Sequence, residues 1–159
     1  MKYKLTSNTK SFLSKTLFQI EATVSFGGIA KGTLGGYIEK ESNLSQAGNA
    51  WVYGNARVYG NARVYGNAQV SGNAQVSGNA RVYGNAQVYG NAWVSGDARV
   101  YGDAWVSGNA RVYLKASFTK GWFIGGDDSG KITNITDKTG SEYWKAQYVL
   151  GDYEIIPMC

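Results

Sequence analysis

From residue 48 onward, valine and alanine recur with a period of six. Alanine stands at 50, 56, 62, 68, 74, 80, 86, 92, 98, 104 and 110, and valine two positions later each time, from Val52 to Val112. The hexad reads GNAxV[YS] with few departures, eleven times without a break. Self-similarity at a fixed period is the mark of a stacked-repeat architecture. In the x-Val-Tyr/Ser part the chain is extended, so valine points one way and its neighbours the other. Valine is β-branched and suits a buried, pleated position. The Gly-Asn pair, with Asp97 and Asp103 replacing asparagine in two hexads, tolerates left-handed backbone angles and turns the chain. Alanine is small enough for an inner corner. Short strands between identical turns predict a solenoid, each coil hydrogen-bonded to the next at ~4.8 Å.

Outside the hexads the pattern changes. Phe18, Ile20, Ala22, Val24 and Phe26 alternate strictly, which predicts a strand over the open end of the solenoid. Residues 122–124, 131–136, 143–150 and 153–156 read as short strands, with turns at 127–130 and 137–140. Solenoid ends expose strand edges, so caps are expected at both. The organisation expected is an N-terminal cap with a first degenerate coil (1–48), a repeat region (49–118) and a C-terminal β-module (119–159).

The pattern [LIV]-x-x-x-[STA]-x resembles that of the hexapeptide-repeat left-handed parallel β-helix proteins. Residues 31–52, KGTLGGYIEKESNLSQAGNAWV, are similar to the N-terminal cap of members commonly encoded by phages and prophages. Ile38 and Leu44 fit two degenerate hexads, a two-residue insertion precedes Val52, and Ala116 and Phe118 make a last imperfect hexad. The resemblance implies an all-β chain wound as a single-stranded left-handed parallel β-helix, with three hexads per triangular coil and four to five coils. The left hand comes from the resemblance alone, since the general crossover rule favours the right. It also implies a homo-oligomer, a trimer packed along the helix axes. Where the family often has Gly or Asp after the aliphatic residue, this chain has Tyr or Ser.

Three hexads per coil place residues 18 apart in one column. The first face then presents Trp51, Gln69, Gln87 and Trp105 beside Tyr53, Ser71, Tyr89 and Ser107. The second presents Arg57, Gln75, Trp93 and Arg111 beside Tyr59, Ser77, Ser95 and Tyr113. Only the third is uniform, with Arg63, Arg81 and Arg99 beside Tyr65, Tyr83 and Tyr101. Arginine supplies forked donors for phosphate or carboxylate and tyrosine a stacking surface, so these six residues form a candidate platform for a small anionic ligand. Against this stands a plain solvated face, or one covered by a neighbouring subunit or by the tail acids Asp127, Asp128, Asp137 and Glu142. Charge repulsion does not decide between them, because guanidiniums ~4.8 Å apart in water repel by only about 0.9 kcal/mol per pair. Three arginines span ~10 Å along the axis, and their pitch does not match the ~3.4 Å rise of duplex DNA. A small phosphorylated molecule or a short single strand therefore fits better than a duplex. Trp51, Trp93 and Trp105, with Tyr53 and Tyr89, are directed outward by the same periodicity and mark a candidate protein contact or sugar-stacking surface.

Composition narrows the chemistry. The 159 residues contain no histidine and one cysteine, Cys159. Ser-His-Asp and Cys-His nucleophile systems, histidine-ligated metals and disulfide frameworks are therefore impossible within one chain. The net charge is +5, with a basic body and an acidic-leaning tail, which permits anionic partners without requiring them. No stretch approaches the ~18 apolar residues of a membrane span. Lys15 and Glu21 interrupt any signal-peptide h-region, so the chain reads as soluble and intracellular, in the bacterial host cytoplasm for a phage-encoded protein.

Several motifs look like chemistry and have plainer readings. Residues 125–132, GGDDSGKI, fit the spacing of a P-loop, but Ile132 stands where Ser or Thr should hold magnesium, and Asp127 and Asp128 would repel phosphate; a hairpin loop is expected. Those two acids do not have the spacing of an EF-hand loop. Gly32, Gly35 and Gly36 read as a cap turn. Asp97 and Asp103 lie on adjacent corners rather than as a facing acid pair, and Glu39 and Glu41 could pair with lysines of the cap. Many hexapeptide β-helices are acyltransferases that use a histidine base, and no histidine exists here to carry that role. The Thr-x-Thr rows of ice-binding solenoids are also missing. The reading is a non-enzymatic binding protein of phage or prophage type, with no metal and no cofactor. In its sharper form it is a counter-defence protein that captures a nucleotide-like signal or blocks a host protein. The competing reading is a structural or virion-associated module contacting protein or glycan.

Overall fold

In the computed structural model, residues 1–113, 117 and 119 are described in detail, and residue 118 and the strands at 122–124, 135–136, 143–149 and 152–157 by their backbone pairing. The chain is an all-β parallel solenoid of about four turns. Each hexad contributes a strand of two or three residues, from Trp51–Val52 to Arg111–Val112. Strands 18 residues apart pair in parallel, as in Arg63↔Arg81↔Arg99 and Gln69↔Gln87↔Trp105. The three columns thus become three sheets, and every repeat valine and alanine lies inside, at no more than 2% exposure.

The coils are joined with one polarity. The N–H of an outward residue donates to a carbonyl of the following coil, as Arg63 N to Ala80 O at 3.0 Å and Tyr65 N to Val82 O at 3.0 Å. Asparagines at the corners donate down the same axis: Asn61 Nδ2 to Asn79 Oδ1 at 3.3 Å, then Asn79 Nδ2 to Asp97 Oδ1 at 3.1 Å. Asp103 receives Asn85 Nδ2 at 3.5 Å on another corner, so both aspartates stand in for asparagine as acceptors in the turn ladders. The corner glycines have positive φ, and at Gly84 (φ +65°) an added Cβ would lie 2.8 Å from Gly102 N. The coils approach that closely only because the side chain is missing.

This polarity leaves carbonyls of the first coil without donors from above, and buried carbonyls need partners. The N-terminal segment supplies them. β1 (Tyr3–Phe12) and β2 (Lys15–Ala22) form an antiparallel hairpin that continues through β3 (Leu34–Ile38) into the second sheet. Lys2 Nζ donates to Ala50 O at 2.8 Å and Gly48 O at 3.4 Å, and the single Tyr3 hydroxyl proton is shared between Leu44 O at 2.6 Å and Glu41 O at 2.9 Å. The expected strand through Phe26 is shorter than its alternation suggests: β2 stops at Ala22, and Val24 is exposed. Gly35 and Gly36 correct the expected turn, because they lie inside β3. A Cβ on Gly35 would meet Val52 O at 2.6 Å and Ile20 Cγ1 at 2.7 Å, so glycine there lets the cap strand seat on the coil. The degenerate hexads pair with the insertion counted in, Ile38↔Val58 and Leu44↔Val64.

Burial lowers the Lys2 ammonium to about 8 and raises the Tyr3 phenol above its ordinary range, with Glu41 adding to the latter. Between pH 8 and the ordinary lysine value of 10.5, the unfolded chain holds a proton at Lys2 that the folded chain has lost, so stability rises with pH. Above about pH 10 the unfolded chain loses a Tyr3 proton that the folded chain keeps, and stability falls. Thermal melts should therefore rise from pH 7.5 to 9.5 in the wild type, and Lys2→Met should flatten that rise. An equal rise in the variant would remove Lys2 as its cause.

At the other end, Trp122–Ile124 pairs with Trp105–Ser107, and Ile135–Thr136, Tyr143–Val149 and Asp152–Pro157 follow as an antiparallel meander in the first sheet. The expected turns at 127–130 and 137–140, and with them the P-loop-like residues, lie outside the described residues. The N-terminal hairpin thus extends the second sheet and the C-terminal meander the first. Among the described residues, the third sheet is built of the coil strands at Arg63–Val64, Arg81–Val82, Arg99–Val100 and Ser117–Phe118, with Leu44 bridged to Val64 at the capped end. Among the described residues, no helix is long and apolar enough to cross a membrane.

Candidate binding site on the third face

The period of two within each strand sends Val64, Val82 and Val100 inward and Arg63, Arg81 and Arg99 outward. All three arginines are exposed, whereas the equivalent Gln69, Gln75, Gln87, Trp93 and Trp105 on the other faces are half-buried. Two positions on, Tyr65, Tyr83 and Tyr101 stack with ring centroids 4.8 Å apart and planes within 3° of parallel. Burial raises the Tyr83 phenol, and the rings on either side reinforce this against the opposing pull of Arg99 and Arg81. The phenol therefore stays neutral beside the guanidiniums. The ion pairs drawn among the described residues, Lys4–Glu21 and Lys15–Glu39, both lie in the cap, and neither involves the arginine column.

Two grooves flank this column and share Arg63 and Arg81. One, of about 610 Å³, runs between the arginines and the corner ladder and is lined by Asn61, Asn79, Asp97, Arg99 and Ser117 as well. The other, of about 600 Å³, lies at the capped end against Glu41, Ser42, Ser45, Gln46 and Tyr65. Both volumes fall in the ~300–1,000 Å³ range of small-molecule sites. The second groove was not foreseen from the sequence. Its signal was the short helical turn Glu41–Asn43, which replaces a regular corner in the first coil.

The repeats match the family model described as the YdcK beta solenoid repeat at residues 50–66, 56–72, 74–90, 86–102, 92–107 and 98–117. The chain is a β-solenoid repeat protein. No curated protein matches the sequence. The matched stretches contain Arg63, Arg81 and Arg99, so the arginine column belongs to the regular part of the solenoid rather than to an insertion.

The tryptophan and tyrosine residues expected on an outer contact surface do not share one surface. Trp51 is a correction: it points away from the coil axis but is 0% exposed, sealed by Tyr3 and Phe26 at ring separations of 6.3 and 5.4 Å. Outward direction does not mean exposure where a cap covers the first coil. Tyr53 is half-buried against the same cluster. Tyr89 and Trp105 meet edge to face at 6.1 Å on the first face. Trp93 lies on the second, where its indole donates to Ser77 Oγ at 3.3 Å and the Arg111 guanidinium sits 5.8 Å from its ring. Arg57 on that face is half-buried, 4.2 Å from the Phe12 ring. Of the cap acids, Glu39 pairs with Lys15 at 3.0 Å and accepts from Gly60 N at 2.6 Å. Burial opposes its charge, yet these bonds and Lys40 hold it below the usual carboxylate range. The tail acids Asp127, Asp128, Asp137 and Glu142 lie outside the described residues.

Proposed function

We propose that this β-solenoid is a non-enzymatic binding protein whose third face takes a small phosphate-bearing ligand. The observation that carries the reading is the exposed column of Arg63, Arg81 and Arg99 beside stacked tyrosines, with two grooves meeting on Arg63 and Arg81. Arginine forks suit phosphate oxygens at ordinary hydrogen-bond distances, and coil spacing offers a donor group every ~4.8 Å. Two adjacent phosphates therefore meet two adjacent arginines. The finer reading, a phage-type counter-defence protein that captures a nucleotide-like signal in the host cytoplasm, draws on the cap sequence and on the chemistry of this face. A homotrimer is the expected assembly.

Calorimetric titration with pyrophosphate tests the reading. Wild-type protein should bind, and Arg81→Ala should weaken binding by about tenfold or more, the effect of losing a hydrogen bond to a charged group. Unchanged affinity in Arg81→Ala, or no binding by the wild type, would reject the site. Native mass spectrometry of the same sample reads the subunit count and any retained ligand.

A further inference from the structure

The tyrosine stack ends abruptly at the capped end, and the groove there begins where it ends. Leu44 bridges to Val64, and Ser45 N donates to Val64 O at 2.9 Å. Ser45 therefore occupies the first-coil position that a tyrosine fills in the next three coils. Tyr65 has Tyr83 stacked on one ring face at 4.8 Å. On the other side the column continues with a serine, and the cavity of about 600 Å³ is lined there by Ser42, Ser45 and Tyr65 together with Arg63 and Arg81. The site is also polarised. Glu41 stands on its rim on the cap side, and the arginines stand along the coil. An anionic group is repelled from the first and drawn to the second, while a neutral group with N–H donors is compatible with the carboxylate.

We propose that this cavity takes a nucleoside phosphate, with its base stacked on the free face of Tyr65 in the place of the missing ring and its phosphates on Arg63 and Arg81. The proposal rests on the anion reading of the same face and adds the base. A planar heterocycle continues a column already built of parallel rings, and stacking on an aromatic side chain tolerates any base because each has a π-face. The control is Tyr113, on the second face, which lines neither groove of the third.

The test is calorimetric titration of the full chain with ADP and with pyrophosphate. ADP should bind at least about fivefold more tightly, the lower bound for one stacked base. Tyr65→Leu should remove that preference while leaving pyrophosphate affinity within about twofold, Tyr65→Phe should keep it, and Tyr113→Leu on the second face should keep it. Equal affinities for ADP and pyrophosphate in the wild type, or equal loss of preference in Tyr65→Leu and Tyr113→Leu, would overturn the base site. The anion platform would then still stand on pyrophosphate binding that depends on Arg81. If neither compound binds the wild type, both readings fall.

Discussion

Val82→Asp should abolish the cooperative thermal unfolding of the solenoid, while Arg81→Asp, one residue earlier, should leave it nearly intact. Val82 is 0% exposed and sits in an inner strand of the third sheet, paired to Val64 and Val100. Aspartate there forfeits about 1.5–3 kcal/mol of side-chain burial. It also places an unpaired carboxylate among valines and alanines, which costs several kcal/mol more. A loss of roughly 5 kcal/mol or more is comparable to the whole stability of an ordinary domain. Arg81 is exposed on the outer side of the same strand, where substitutions away from specific contacts usually stay within about 0.5 kcal/mol. Circular dichroism melts of the two variants read the difference. Similar melts for both would mean that the strand does not alternate as described.

The second large effect is on binding. Arg63→Gln, Arg81→Gln and Arg99→Gln combined should lower pyrophosphate affinity by about 100-fold or more, since at least two charge-assisted contacts worth roughly 1.5–3 kcal/mol each are lost. Glutamine is the residue that the protein itself uses at the matching positions 69, 75 and 87. The triple variant therefore keeps the hexad and should melt within a few degrees of the wild type. Wild-type affinity should also fall as salt is added, because the contacts are exposed and screened, and the variant's residual affinity should respond less. A triple variant that binds as the wild type does would remove the arginine column from the function.

The regular part of this architecture was legible because each hexad position answers one physical demand. Valine fills the interior, alanine the corner, glycine the positive φ and asparagine the ladder at the turn. Once coils of three hexads were set, the arginine column followed from arithmetic, and the pairing of Arg63, Arg81 and Arg99 agrees with it. The same arithmetic carried across the two-residue insertion, since Ile38 and Leu44 pair with Val58 and Val64. The cap was less legible. Its hairpin turns through Leu13 and Ser14 with φ of 49° and 62°, a conformation that Asn-Gly would have announced and Leu-Ser does not. Without β1 in view, Trp51 read as a surface residue. Gly35 and Gly36 resembled turn glycines in spacing, and only the coil packed against them shows that they are there for close approach. The capped-end groove was hidden for a related reason, because the place of Ser45 over Tyr65 has meaning only once the first coil is paired.

A crystal structure of the protein with pyrophosphate tests the central claim most directly. The anion should lie on the third face, with its two phosphate groups on adjacent arginines, Arg63 and Arg81, and the tyrosine stack undisturbed beside it. Pyrophosphate held instead by Arg57 or Arg111 of the second face, with the third face empty at saturating concentration, would contradict it.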